Sequence, residues 1–442
     1  MTDKIFSQKY FDILLSLYSE NKFQDTIDYG LSLEEKNNFA FIYNFVGASF
    51  ASLEKYKQAI FYYKSAISVD PQYFEVFINL AETYRILKKY ELAIETSEFA
   101  ININNNSIKG YFTLANIYDD CENFKNAILY YDKVLNIEPD NFQANNNIGV
   151  LYFKENNIHK AIEHYNIALK KNSKSPEIYN NLGLLLKETN KKNSAIKCFK
   201  NALDLDGEFI DANYNMANVL KDIKNNLSSI SFYEKVLSLN PNHVNALSQK
   251  LFQLAQICEW KKINKHKNEI NQIGLKKNEV EPFTMLTFDD SPKRNQQRAN
   301  LYYFNRFKNY KKTNKSLFTK KKKTKKIKLG YFSSDFYNHA TMFLISRMLE
   351  LHDKKKFELY GYSFGNNVQD EMQMKCKTIF KSFKNIKLMP DDEVLQLVNN
   401  DQIDIAIDLK GYTQNHRASL FFRKLAPIQI NFLGFPGTMG SN

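Results

Sequence analysis

The pair Ala-Ile returns every 34 residues, at Ala59-Ile60, Ala93-Ile94, Ala127-Ile128, Ala161-Ile162 and Ala195-Ile196, and Ser229-Ile230 continues the series. Other columns keep the same step. A small residue recurs at Gly47, Ala81, Ala115, Gly149, Gly183 and Ala217. A compact apolar residue recurs at Ala66, Ala100, Val134, Ala168, Ala202 and Val236. An aromatic ring stands at Tyr63, Tyr131, Tyr165, Phe199 and Tyr233, with Ser97 the exception. Breakers close most units, as Asp70-Pro71, Glu138-Pro139, Asp206-Gly207 and Asn240-Pro241.

These columns describe a helix-turn-helix unit. The small residues mark a close helix crossing, and the aromatics are expected to fill the gap between neighbouring pairs. The Pro or Gly stops the second helix. The 34-residue period with this pattern resembles the tetratricopeptide repeat. Six units run from about Phe39 to Asn240, with a degenerate unit at each end, which gives an α-solenoid over residues 1–256. Such arrays coil into a superhelix whose concave face binds extended peptides or partner proteins. One further column reads Phe45, Asn79, Thr113, Asn147, Asn181 and Asn215. A side-chain amide at one fixed place per repeat can grip a peptide main chain whatever its sequence. The competing reading is that these amides satisfy local backbone groups.

After Asn240 the period fades. Residues 257–326 read as a helical transition ending in the run Lys320 to Lys323, Lys325 and Lys326, a solvated linker. From Ile327 the pattern changes to short β-rich segments alternating with helical ones. The strands are expected at Ile327–Phe332, Phe357–Phe364, Ile386–Met389, Ile403–Leu409 and Pro427–Leu433. Near-continuous apolar strands separated by helices mean a parallel sheet covered on both faces, an α/β Rossmann-like lobe over residues 327–442. In such lobes the functional loops lie at the carboxyl ends of the strands. Here they are Ser333–His339, Lys410–Gln414 and Gly434–Gly440. His339 stands at the first turn of a helix. By position alone it is either a cap or a group that exchanges a proton or hydrogen-bonds an anionic ligand. Asp335, in the same turn, reads first as the cap of the next turn of chain. The small residues of GFPGTMG let backbone approach a phosphate or sugar.

Composition limits the alternatives. Lysine and arginine number 61 and the acids 48, a net charge of +13, but the lysines are scattered and lack the interleaved aromatics of a nucleic-acid site. Cys121, Cys198, Cys258 and Cys376 form no CxxC pair, and the seven histidines form no ligand cluster, so neither disulfides nor a metal is expected. No signal-peptide pattern and no apolar run of about 18 residues is present. These features point to a cytoplasmic protein with no nucleic-acid or membrane partner.

Beyond the repeats, the blocks ICEW, GYFSSDFYNHATMFL, DLKGYT and RKLAPIQINFLGFPGT stand in an order that resembles the O-linked N-acetylglucosamine transferase family, including its bacterial and plant Spindly-type members. The resemblance implies a GT-B fold of two Rossmann-like lobes, of which residues 327–442 are the first. It implies transfer of a sugar, most often N-acetylglucosamine from UDP-GlcNAc, to Ser or Thr of proteins held by the repeats, with no metal or other cofactor. Homodimerisation through the repeats is a further expectation. On this resemblance His339 matches the family's active-site histidine, discussed there as a base or a donor-orienting group. Gly434, Pro436, Gly437 and Thr438 match a cleft segment, and Asn79, Asn147, Asn181 and Asn215 match a peptide-gripping ladder. Asp404 stands where animal members carry a second active-site histidine. The family's second lobe would begin where this sequence ends, so the chain is expected to be inactive alone. The alternative is a protein-binding repeat scaffold with a vestigial half domain.

Overall fold

The computed structural model describes residues 2–34, 39–276, 278–307 and 326–440. They form two compact units, residues 1–219 and 220–442. The run from Lys320 to Lys325, with the linker expected there, lies outside the described residues.

The first unit is built of antiparallel helix pairs. After Thr2–Ser19 and Phe23–Ser32 come Ala40–Ser52 with Tyr56–Val69, Phe74–Ile86 with Tyr90–Ile103, and Ile108–Asp120 with Phe124–Ile137. Phe142–Lys154 with Ile158–Lys171 and Pro176–Glu188 with Lys192–Leu205 continue the series. The small column does what its spacing predicts. A Cβ at Gly47, Gly149 or Gly183 would lie 2.7–2.8 Å from the ring of Tyr63, Tyr165 or Phe199. The rings therefore lie across the small residue of their own pair, rather than only in the gap between pairs. Ser97 takes the ring's place in the second pair, and its buried hydroxyl has no hydrogen-bond partner among the described residues.

A second 34-residue column appears only in the backbone. Glu54, Lys88, Glu122, Asn156 and Asn190 have φ of +57 to +63°. Each follows a first helix, and the next amide reaches back to close the turn, as Lys55 N to Phe50 O at 2.8 Å. This is a Schellman-type ending made without glycine. Each such residue costs on the order of 1 kcal/mol.

The second unit continues with helices Asn226–Leu239 and Val244–Gln256, then short turns of helix, then Pro292–Phe307. A five-stranded parallel sheet comes next, with β1 Ile327–Ser333, β2 Phe357–Ser363, β3 Ser382–Asn385, β4 Ile405–Asp408 and β5 Ile428–Asn431. Its order is β3-β2-β1-β4-β5. Leu329, Tyr331, Leu359 and Ile407 pack under helices Ala340–Glu350 and Glu371–Ile379. Phe332, Tyr360 and Tyr362 pack on the other face with Val394 and Val398 of helix Asp391–Asp401.

Two sequence expectations change. The third strand is Ser382–Asn385, whose register against Tyr360–Ser363 of β2 is set by backbone pairing. Ile386 instead comes just after the strand and fills the core from a turn. The sheet is also not covered throughout. Ile428 and Ile430 of β5 pair with Ile405 and Ile407, yet stand 53% and 42% exposed.

Candidate functional site

The strand order reverses between β1 and β4, and a doubly wound sheet opens a crevice at such a switch point. The loops after these two strands meet there. Leu409 N donates to Phe332 O at 3.0 Å, and Phe364 N donates to Ser333 O at 3.1 Å. The approach is close enough to demand glycine at two places. A Cβ on Gly365 would lie 1.9 Å from Ser334 O, and one on Gly434 would lie 1.9 Å from Leu409 O. Gly434 is thus small because another loop's backbone crosses it, a reason independent of any ligand.

At the switch point Lys410 Nζ donates to Asp335 Oδ2 at 2.7 Å, with both side chains more than nine-tenths buried. Ser334 Oγ donates to Asp335 Oδ1 at 2.9 Å, and Asp335 N donates to Ser333 Oγ at 3.0 Å. Asp335 is therefore an ion-pair partner and caps no helix. The cap of Ala340–Glu350 is His339, whose Nδ1 accepts from Thr341 N at 3.2 Å. His339 Nδ1 also lies 3.7 Å from Asp335 Oδ2. The ring is 37% exposed, and among the described residues its Nε2 has no hydrogen-bond partner. His339 is thus both a cap and a ring with a nitrogen free for a ligand.

The sequence named His339 and the loop Lys410–Gln414, but not the bridge between them. The available signal was a lysine directly after an apolar strand, because buried lysines are almost always paired. Asp408, at the carboxyl end of β4, was also missed. Burial pushes its carboxyl up to about 6, against backbone amides of Lys410 and Gly411 that favour the charged form. A folded value above the unfolded one means that the folded state holds the proton longer. Stability then falls as pH rises from about 4 to about 6, by about 3 kcal/mol for a rise of this size. Asp408→Asn keeps an acceptor for Lys410 N and removes the charge. The variant is expected to melt higher than wild type at pH 7.5, with the gap closing toward pH 4. Thermal midpoints across that range check it.

The other nominated residues do not join His339. Pro436, Gly437 and Thr438 line an open cleft of about 870 Å³ with Asp290, Lys293 and Gln296. Gly440, at φ +67°, packs against the backbone of Ala299. Asp404 lies at the amino end of β4, where its Oδ2 accepts from Lys328 N at 2.8 Å and its amide donates to Lys328 O. That is the end of the sheet opposite the loops, so Asp404 serves as a clasp between strands and is not part of the crevice wall.

In the first unit the asparagine column is cross-linked. Asn79, Asn181 and Asn215 donate through Nδ2 to Oδ1 of Asn44, Asn146 and Asn180 in the preceding pair, at 2.9–3.0 Å. Asn146 donates to Asn147, and Asn147 donates to Tyr131 Oη. A second column, one residue before the first, thus completes the ladder, and the doublets Asn146-Asn147 and Asn180-Asn181 were its signal. Asn146 and Asn147 open onto a groove of about 630 Å³ with Phe112, Phe142 and Lys174 in its walls. Among the described residues no group of His, Cys, Asp and Glu could hold a metal, and no helix is long and apolar enough to cross a membrane.

Helix pairs at a 34-residue period together with a parallel sheet define a repeat protein with an α/β lobe. Tetratricopeptide repeat families match residues 42–141, 151–190 and 176–243, and Glycosyl transferase family 41 matches residues 257–442. The chain is thus a tetratricopeptide-repeat protein whose residues 257–442 match Glycosyl transferase family 41 and are similar to O-GlcNAc transferases. Similar curated proteins include the probable UDP-N-acetylglucosamine–peptide N-acetylglucosaminyltransferase SEC of Arabidopsis thaliana, 33% identical over 26% of this chain and 12% of its own length. The corresponding Caenorhabditis elegans transferase is 31% identical over 26% of this chain and 10% of its own length. The chain thus aligns with about a tenth of the length of these relatives. Among solved structures, a mutant Thermobaculum terrenum O-GlcNAc transferase is 19% identical, with a TM-score of 0.38 over 75% of this chain and 51% of the other.

Proposed function

We propose that this chain is part of a protein O-glycosyltransferase. Its repeats bind the acceptor polypeptide, and its sheet lobe, as the first lobe of a GT-B fold, supplies one wall of the donor site around His339. The donor in this reading is a nucleotide sugar, UDP-GlcNAc by the names of its relatives, and neither metal nor other cofactor takes part. The observation that carries it is the junction of β1 and β4. At the carboxyl end of β1, within residues matched to a glycosyl transferase family, one histidine keeps an uncommitted Nε2 beside the buried Asp335–Lys410 pair, at the switch point of the sheet.

The repeats support the acceptor half. Asn79, Asn147, Asn181 and Asn215 are half-buried, and each NH2 keeps a second hydrogen for a peptide carbonyl. The groove beside Asn147 adds two aromatic rings and a cation. A net hydrogen bond is worth about 0.5–1.5 kcal/mol, so Asn147→Ala with Asn181→Ala should weaken binding of Ser/Thr-containing peptides roughly 5- to 100-fold. Calorimetric titration of the double variant tests this, and unchanged affinity would sink the ladder's role. The same peptides should bind His339→Ala as they bind wild type.

A further inference from the structure

The bridge Asp335–Lys410 sits where an acid–base mechanism would place a histidine's partner. A ring that removes a proton through Nε2 must carry its own proton on Nδ1, usually donated to a carboxylate. His339 has such a carboxylate, because Asp335 Oδ2 lies 3.7 Å from its Nδ1. The geometry nevertheless departs from that arrangement in two ways. Nδ1 is already an acceptor, taking the Thr341 amide at 3.2 Å. The Oδ2 that faces it is already held by the Lys410 ammonium at 2.7 Å, and Oδ1 by Ser334 Oγ at 2.9 Å.

We propose that Lys410 is a positioning residue that fixes His339 in the tautomer with its proton on Nε2, so that the ring donates a hydrogen bond to a ligand oxygen rather than accepting a proton. A buried carboxylate takes the best donor within reach. Lys410 fills that role at Asp335, which leaves Nδ1 free to cap helix Ala340–Glu350. The proton then stands on the half-exposed side of the ring. In a nucleotide-sugar site it would face an anionic phosphate oxygen or a sugar hydroxyl. The other groups near the ring do not compete for Nδ1. The Tyr337 ring packs beside it at 5.5 Å between centroids, and Asp370 Oδ2 is taken by the Asn338 amide at 2.6 Å. Asp408 Oδ1 accepts from the backbone amide of Lys410, while the Lys410 ammonium is hydrogen-bonded to Asp335.

This inference deepens the reading of His339 as a donor-site residue, but its test needs no donor, so the two can fail separately. Protein labelled with ¹⁵N-histidine reports tautomers through two-bond nitrogen–proton correlations, and the His339 signals are those lost in His339→Ala. Wild type should show the Nε2–H pattern. Lys410→Met, which returns Asp335 Oδ2 to the ring, should shift His339 to the Nδ1–H pattern. Adding Asp335→Asn to Lys410→Met should restore Nε2–H. An Nδ1–H pattern in wild type or in the double variant overturns the proposal, as does a folded Lys410→Met that stays Nε2–H. If Lys410→Met does not fold, wild type and the charge-free double variant still decide.

Discussion

Arg298→Ala is expected to lower the stability of the second unit by about 3–5 kcal/mol, the range for breaking a buried ion pair on one side. Arg298 is 1% exposed and makes four hydrogen bonds. Nε and Nη2 donate to the carbonyls of Ile273 and Ile270 at 2.8 Å, while Nη1 reaches Asp289 at 2.6 Å and Asn295 at 3.0 Å. One guanidinium thus pins the turn at 270–273 to helix Pro292–Phe307. Removing it strands two buried carbonyls and half the compensation of Asp289. Burial alone would raise the Asp289 carboxyl, but hydrogen bonds from Arg294, Ser291 N and Arg298 hold it well below the usual range. A depressed carboxyl contributes stability above its unfolded value near pH 4, lost as pH falls. The variant's deficit should therefore be largest near neutrality and shrink in acid. Trp260, the only tryptophan, lies in this unit, so denaturant unfolding monitored by its fluorescence reads the effect. Arg298→Lys should recover only part of the loss, because one ammonium cannot span both carbonyls and the carboxylate.

The repeats were legible because their constraint is local and periodic. A Cβ at Gly47 or Gly149 collides with a ring sixteen residues on, so small and aromatic columns keep step. The turn residues at positive φ were not legible, because Glu54, Lys88 and Glu122 carry no glycine or asparagine signal. The strands coincide with their apolar runs except the third. Ser382–Asn385 has no such run and is a strand only because β2 offers it a partner edge.

Site residues divide in the same way. His339 could be placed from a strand leading into a helix. Lys410, 75 residues beyond Asp335, could not, because only the β1–β4 pairing brings the two loops together. Asp404 was nominated by the resemblance of a block, and the register of that block puts it at the wrong end of its strand for a cleft role.

His339→Ala carries the second large effect. The ring is 37% exposed and keeps one uncommitted nitrogen, Nε2; in the proposed site, loss of one well-placed hydrogen-bond donor where charge develops costs about 10²–10³-fold in rate. Loss of the helix cap costs about 1 kcal/mol of stability, which the fold should tolerate. His339→Gln, which keeps an N–H donor but no basic nitrogen, should recover part of the rate if the ring donates and none if it accepts a proton.

The most direct measurement is transfer of labelled sugar from UDP-GlcNAc to Ser/Thr polypeptides by this chain completed with the second GT-B lobe of a relative, wild type against His339→Ala. The expected result is label on peptides that the repeats bind, with transfer at least about 100-fold lower in the variant and peptide affinity unchanged. No transfer by wild type, or equal transfer by both, would contradict the assignment of a glycosyltransferase site at His339.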